Sequence, residues 1–210
     1  NRSLLPEEGY SLEGGLEYQA VFSGHLLKTE LTVYRTDIRN WIIWIPSYRG
    51  YWEPRNIRRV VSSGLEFITQ WTGKFRGLDC TCFGTYAYTR ALNYGDPDIW
   101  SEHSYGKQLV YIPLHSGNLG IHLALKGFFL RYQYNAYSER FTTSSNDVSK
   151  RDRLYPYFMN DVSAGKHFHI NELSFTTEFK VYNLLNEAYH SILYRPMPGR
   201  NYYLTLIFTF

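Results

Sequence analysis

Asn201-Tyr202-Tyr203-Leu204-Thr205-Leu206-Ile207-Phe208-Thr209-Phe210 closes the chain and alternates almost without a break. Successive strand side chains point to opposite sides, so Tyr202, Leu204, Leu206, Phe208 and Phe210 share one face. Asn201, Tyr203, Thr205 and Thr209 share the other, and Ile207 alone breaks the pattern. A strand this apolar on one face is an aggregation hazard when its edge is open to water. The pattern therefore predicts that this face meets something other than water.

Working back from the terminus, the same alternation recurs. Gly9 to Val21 sets Tyr10, Leu12, Leu16, Tyr18 and Ala20 against Ser11, Glu13, Glu17 and Gln19. Leu27, Thr29, Leu31 and Val33 oppose Lys28, Glu30, Thr32 and Tyr34, and Val61, Leu65, Phe67 and Trp71 oppose Ser62, Gly64, Glu66 and Gln70. Leu78, Cys80, Cys82, Tyr86 and Tyr88 stand against Asp79, Thr81, Thr85 and Thr89. Leu119, Ile121, Leu123 and Leu125 oppose Asn118, His122 and Ala124; Phe128, Leu130, Tyr132 and Tyr134 oppose Arg131, Gln133 and Asn135, with Phe129 out of pattern. Tyr155 to His169 is the least regular run, because Asp161 and Lys166 leave neither face clean. Leu173, Phe175, Phe179 and Val181 then oppose Ser174, Thr176, Glu178, Lys180 and Tyr182. With the terminal run this predicts about nine antiparallel strands.

The connections alternate in length. Tight turns are expected at Phe22-Ser23-Gly24, within Thr72 to Gly77, and at Lys126-Gly127. Long connections are expected over Trp41 to Asn56, Tyr94 to Gly106 and Thr142 to Arg153. Short turns at one end and long loops at the other characterise bacterial transmembrane barrels, whereas sandwiches and propellers have no reason to sort their loops this way. Many of the runs reach the roughly 9 to 11 residues that cross a bilayer on a tilt. The predicted fold is all-β, the C-terminal portion of a transmembrane β-barrel in a bacterial outer membrane. Such barrels end on a strand with a terminal Phe and apolar residues at alternate positions, so Tyr202, Leu204, Leu206, Phe208 and Phe210 are expected to act as an assembly signal. Single-chain bacterial barrels have even strand counts. The odd count predicts that earlier strands, and a signal peptide, belong to a larger protein.

Composition agrees with this reading. Aromatics make up 18% of the chain, with 20 Tyr, 13 Phe and 5 Trp, yet mean hydropathy is only -0.38. A transmembrane helix needs about 20 successive apolar residues, and no such run exists. A barrel interleaves lipid-facing and polar residues and gathers aromatics into two girdles. The formal net charge of +3 is too small to argue for nucleic acid. Cys80 and Cys82 would point in parallel from one strand face, poor geometry for a disulfide, and a zinc site would need more ligands.

Particular segments resemble a known family. Val181-Tyr182-Asn183-Leu184-Leu185-Asn186-Glu187-Ala188-Tyr189, then Arg195-Pro196-Met197-Pro198-Gly199-Arg200-Asn201 and the Phe-terminated strand, resemble the C-terminal end of TonB-dependent outer-membrane receptors. Leu5-Pro6-Glu7-Glu8-Gly9 resembles the start of a mid-barrel strand of that family, and Trp52-Glu53-Pro54-Arg55-Asn56 with Gly64-Leu65-Glu66 resembles a later loop and strand. Asn183 and Asn186 are suited to bonding loop backbone, Pro196 and Pro198 to stiffening the loop, and Gly199 to letting it re-enter the sheet. The resemblance implies a barrel of 22 strands when complete, an N-terminal plug, a TonB-binding box, and energy-coupled import of a scarce nutrient such as a siderophore, haem or cobalamin. It also implies that residues 1–210 are a partial barrel domain. The remaining strands and plug, in the same protein or a separate chain, become partners, as do TonB, outer-membrane lipid and lipopolysaccharide, and a surface lipoprotein; no cofactor is implied. Tyr111-Ile112-Pro113-Leu114-His115 and the Pro-Met-Pro-Gly-Arg ending resemble the cobalamin-receptor-like branch.

Ligand contacts are expected from the long connections. Trp41, Trp44, Tyr48, Arg49, Tyr51, Trp52 and Arg55 combine ring faces with guanidinium groups that can stack on or pair with a flat or anionic ligand. The alternative is an interfacial aromatic belt that meets lipopolysaccharide phosphates. Trp100, His103 and Tyr105 form a second set. His167 and His169 share a strand face near the short-turn end, but two histidines do not make a metal site. No Ser, His and carboxylate grouping and no Gly-rich phosphate loop suggests catalysis. Besides energised uptake, a passive porin and an outer-membrane enzyme or adhesin are the alternatives. A porin has no use for the Asn183 to Arg200 cluster, and an enzyme needs a polar triad at the rim.

Overall fold

The computed structural model describes residues 4–46, 52–95, 104–149, 153–170 and 173–209. Its strands are β1 (Glu8–Phe22), β2 (His25–Pro46), β3 (Trp52–Phe75), β4 (Leu78–Asn93), β5 (His115–Leu125), β6 (Phe128–Tyr137), β7 (Arg140–Phe141), β8 (Arg153–Leu154), β9 (Tyr157–Ile170), β10 (Leu173–Tyr182), β11 (His190–Ile192), β12 (Arg195–Pro196) and β13 (Asn201–Thr209). Among the described residues, nine of them form one sheet in the order β1-β2-β3-β4-β5-β6-β9-β10-β13. Every neighbouring pair is antiparallel. The short strands pair separately, β7 with β8 and β11 with β12, inside two of the long connections.

Three short turns have one chemistry. Ser23-Gly24, Arg76-Gly77 and Lys126-Gly127 all have positive φ at both residues, 48° and 80°, 48° and 88°, and 49° and 82°. Positive φ at both central positions defines the type I′ turn, whose twist matches that of the strands it joins. Glycine takes the second position in each. The turn expected over Thr72 to Gly77 is shorter than the sequence suggested, since Thr72 to Phe75 stay paired with β4 as far as Phe75↔Leu78. Thr209 pairs with Ser174 beside the short β9–β10 connection, so the last strand ends among the short turns.

A larger difference lies at the other end. The segment Trp41 to Asn56, expected as a loop, continues β2 and β3 as a ribbon in which Trp41 pairs with Ile57 and Pro46 with Trp52. Its alternation is hidden because β-branched and aromatic residues fall on both faces there. Such residues favour strands wherever cross-strand neighbours exist to pack on. The chain before β1 supports the ribbon's base. Asn56 accepts from Leu5 N at 2.9 Å and donates to Leu5 O at 3.0 Å, Asn40 donates to Pro6 O at 3.2 Å, and Glu7 accepts from Ile42 N at 2.7 Å. Gly9 is needed beside them, because a Cβ there would strike the Asp37 carbonyl.

Register fixes the faces. Cross-strand rows such as Leu16–Leu31–Phe67–Tyr86 and Leu123–Leu130–Ala164–Phe179–Leu204 run across the sheet and define its outward, apolar side. Leu12, Leu16, Leu204 and Phe208 are all exposed in the protein alone, as lipid-facing residues must be. The opposite, lumen side carries Arg131, Gln133, Asp161, Ser163, Glu178 and Lys180, where Glu178 pairs with Arg131 and Lys180 at 3.1 Å each. The ambiguous run over β9 also resolves. Asp161 faces the lumen and accepts from Asn183 N at 2.8 Å. Lys166 faces outward near a short turn, its ammonium 4.2 Å from the Phe128 ring centre and 4.9 Å from that of Phe168, the snorkelling arrangement of a cation at a membrane boundary.

Phe129, out of pattern in the sequence, lies on the lumen wall for a local reason. It pairs with Gly165, where a Cβ would overlap its ring, and the Arg131 guanidinium stacks on it at 4.5 Å. Tyr34 covers Gly64 and Phe83 covers Gly120 in the same way, each opposite its glycine in register. An aromatic laid over a facing glycine fills the missing side-chain volume and pins the register. Cys80 and Cys82 are free thiols with their sulfurs 4.0 Å apart.

Candidate ligand-binding site

The long connections gather at one end of the sheet and are tied down by side-chain amides. Asn183 has φ 53° and is 1% exposed. Its amide donates to Glu187 O at 2.9 Å and to Pro198 O at 3.4 Å, while its side-chain oxygen accepts from Glu187 N at 2.7 Å. Asn186, also at positive φ, accepts from Arg200 N at 2.9 Å. Asparagine tolerates this left-handed backbone and supplies both donor and acceptor. Gly199 acts by close approach rather than by turning: a Cβ there would lie 2.9 Å from the Asn186 side-chain oxygen. Asn146 joins two other connections, accepting from Gln108 N and donating to Gln108 O, both at 2.8 Å. Gln108 in turn donates to Thr89 O at 3.0 Å.

Between residues 153–157 and 188–194 these ties leave a cavity of about 530 Å³, lined by Arg153, Tyr155, Tyr157, Tyr189, His190 and Tyr194 among others. That is within the range of about 300 to 1,000 Å³ usual for small-molecule sites. Tyr157 is buried and packs tilted against Tyr189, ring centres 4.8 Å apart; Tyr155 and Tyr194 are exposed at the rim. Burial raises the Tyr189 phenol above its ordinary pKa, and the Asp161 carboxylate adds to the effect. Arg153 lies over Tyr155 at 5.1 Å and pairs with Glu139 at 3.0 Å.

Behind the lining residues Tyr155, Tyr157 and His190 sits Arg140, 5% exposed. Its guanidinium stands 4.8 Å over Tyr157 and donates to His190 O at 3.1 Å and Tyr155 O at 3.5 Å. Its Nε has no hydrogen-bond partner. No carboxylate pairs with it among the described residues, and a buried cation without a counter-charge is costly. The arrangement offers tyrosine walls with the Arg140 charge behind the Tyr157 ring, suited to a group that is both planar and anionic.

The residues singled out from sequence are distributed differently. Trp41 is half-buried at the ribbon's base, paired with Ile57. Trp44 pairs with Pro54, Trp52 with Pro46 and Arg55 with Ile43 along the ribbon. Tyr105 is exposed and packs edge-on against Tyr94 at 5.4 Å. Tyr48, Arg49, Tyr51, Trp100, His103 and Phe210 lie outside the described residues. Sequence reasoning missed Arg140, Tyr157 and Tyr189, although Tyr155-Pro156-Tyr157 and Tyr189-His190, aromatics flanking two long connections, were the available signal. His167 and His169 donate to or accept from Thr176 and Ser174 at 2.7 and 2.8 Å, and no group of metal ligands exists among the described residues.

Residues 1–184 match the family model for the TonB dependent receptor-like β-barrel. The chain belongs to that family. No curated protein matches it in sequence. Among solved structures, the copper transporter OprC is similar at TM-score 0.75 and 14% identity, over 100% of this chain and 32% of that one. The ferric citrate transporter FecA, in its unliganded form, is similar at TM-score 0.74 and 16% identity, over 97% and 32%. The ferric-catecholate import receptor Fiu from K12 E. coli follows at TM-score 0.67 and 21% identity, over 98% and 28%. This TonB-dependent receptor chain thus spans about a third of the length of these receptors, as nine strands of an outer-membrane multi-pass barrel. Its family and fold are those of transport receptors.

Proposed function

We propose that the receptor carrying these strands imports a scarce nutrient in an energy-coupled, TonB-dependent manner, and that the Arg140–Tyr157–Tyr189 site makes an early contact with an anionic, planar ligand. The observation that carries the reading is the buried Arg140 guanidinium, without a carboxylate partner among the described residues, packed on Tyr157 in the wall of a tyrosine-lined cavity. Family membership supports the energy coupling. The structural relatives named for iron, citrate and copper support uptake without choosing a ligand. Siderophore, haem and cobalamin types all carry carboxylate, catecholate or phosphate groups beside flat surfaces, and all suit the site. The cobalamin-like branch suggested by Tyr111 to His115 stays within this proposal. The aromatic ribbon from Trp41 to Arg55, with Trp100 and Tyr105, is proposed as an outer capture surface. A plug held by the lumen face, TonB acting through it, lipopolysaccharide around the barrel and a surface lipoprotein complete the partners.

Uptake of labelled candidate ligands by cells expressing the full-length receptor tests this. Collapse of the proton gradient should abolish uptake while surface binding persists. Arg140→Met should weaken binding at least about tenfold, or about 1.4 kcal/mol. Uptake that continues after the gradient is collapsed would make the barrel a passive porin.

A further inference from the structure

The outward face changes character above its apolar belt. Val33, Leu65 and Tyr88 form one cross-strand row, and the next outward row is Arg35–Ser63–Arg90. Arg35 and Arg90 are exposed, and neither makes an ion pair among the described residues. They flank Ser63 from two strands apart, about 10 Å between backbones at a strand spacing of about 4.8 Å. The remaining charges on this side leave the row cationic. Asp37, one outward position above Arg35, is buried and already holds Arg59 in a two-point ion pair, Nε at 2.8 Å and Nη2 beside it. Above it Arg39, exposed, pairs in register with Glu8 on one side and Arg59 on the other.

Next to Arg90, on the same face, lies an apolar groove of about 570 Å³. Its floor is Gly117 and Ala136, register partners, with Leu119 beside them. One wall is Tyr86 stacked on His115 at 6.1 Å, with a 2.8 Å hydrogen bond between them; the other is Tyr134 stacked on Phe158 at 6.3 Å, only 2° from parallel. Gly117 keeps the floor low, since a Cβ there would lie 2.8 Å from Thr85 O. His115 pairs with Tyr88, and Arg90 stands about 7 Å beyond Tyr88 at strand rise. The groove and the arginine row thus lie on one face with Tyr88 between them, apolar below and cationic above. Both lie within β2 to β9, flanked by strands of this chain.

We propose that this surface is a specific site for a phosphorylated lipid of the outer leaflet, its phosphate between Arg35 and Arg90 over Ser63 and one acyl chain in the Gly117 groove. It rests on the outer-membrane location of the family, not on the uptake reading. Two arginines presenting fork donors suit a phosphate, and only lipid meets this face at the level of the belt. The arrangement resembles cation clusters that hold lipid headgroups elsewhere.

The full-length receptor, purified in dodecyl maltoside, is titrated with diphosphoryl lipid A and with its dephosphorylated form, and occupancy is read by native mass spectrometry. The intact protein should retain the diphosphoryl lipid at least about tenfold more tightly than the dephosphorylated one, a comparison that needs no variant. R35A/R90A should lose that preference and R35K/R90K should keep part of it. Ala136→Phe, which fills the groove, should weaken both lipids about equally. Equal affinity for the two lipids in the intact protein would overturn the proposal. So would complete displacement by inorganic phosphate with A136F neutral, which would leave a bare anion site. Neither result depends on whether the receptor transports anything.

Discussion

On the outward side of β6, Leu130 stands between Leu123 and Ala164 in an apolar row. On the lumen side of the same strand, Arg131 reaches Glu178 at 3.1 Å and stacks on Phe129. One face asks each residue only to be apolar, because lipid solvates any hydrocarbon shape. On the other, residues that pack together, such as Arg131, Phe129 and Glu178, each depend on a particular neighbour. Single changes should accordingly act by chemistry outside and by geometry inside.

Replacing Phe208 and Phe210 with Ser should have the largest effect, blocking outer-membrane insertion while synthesis continues; normal surface display would reduce β13 to an ordinary edge strand. Leu130→Arg should then cost about 2 to 4 kcal/mol if it lies near the bilayer midplane, measured by urea titration of the refolded receptor in lipid vesicles. Gln133→Arg, on the lumen side, serves as its control. Equal losses in the two would erase the distinction between faces. Asn183→Ala should cost about 2 kcal/mol or more by stranding buried backbone groups, seen as faster proteolysis within residues 183–200 while the barrel stays intact. Gly165→Val should cost about 1 to 3 kcal/mol through overlap with the Thr177 carbonyl and the Phe129 ring, and Phe129→Ala in the same protein should recover the ring's share as a coupling energy. Additive losses would mean the ring and the glycine do not share space. Gln133→Arg should change stability by no more than about 0.5 kcal/mol.

The outward face was legible in the sequence because lipid imposes a single rule at period two. Leu12, Leu31, Phe67 and Leu204 all fell where expected. The short turns were legible for a similar reason: a type I′ turn demands glycine at a fixed place. Lumen details were not. Nothing local says that Phe129 must cover Gly165, a residue more than thirty positions away, so it read as an error in the pattern. The ribbon of β2 and β3 was hidden because β-branched and aromatic residues occupy successive positions there, so no alternation marks it. The site at Arg140 was invisible because it is assembled from residues 140, 157 and 189, which long-range contacts such as Arg140 to His190 O bring together. What could be read were the aromatics themselves, not their convergence.

The β2–β3 ribbon has a mechanical consequence. From Asn40 to Pro46 it runs on past the last β1 pair, Glu8↔Arg39, roughly 20 Å at about 3.3 Å per residue. Its base is clamped by the Leu5 to Glu7 segment, while no third strand stiffens it beyond that clamp among the described residues. It is a cantilever: rigid along its length, compliant in bending, and anchored at one end. Any angular change at the clamp is multiplied by that length at the Pro46–Trp52 pair. The ribbon thereby carries the barrel wall's reach beyond the end of β1 on a two-strand stem.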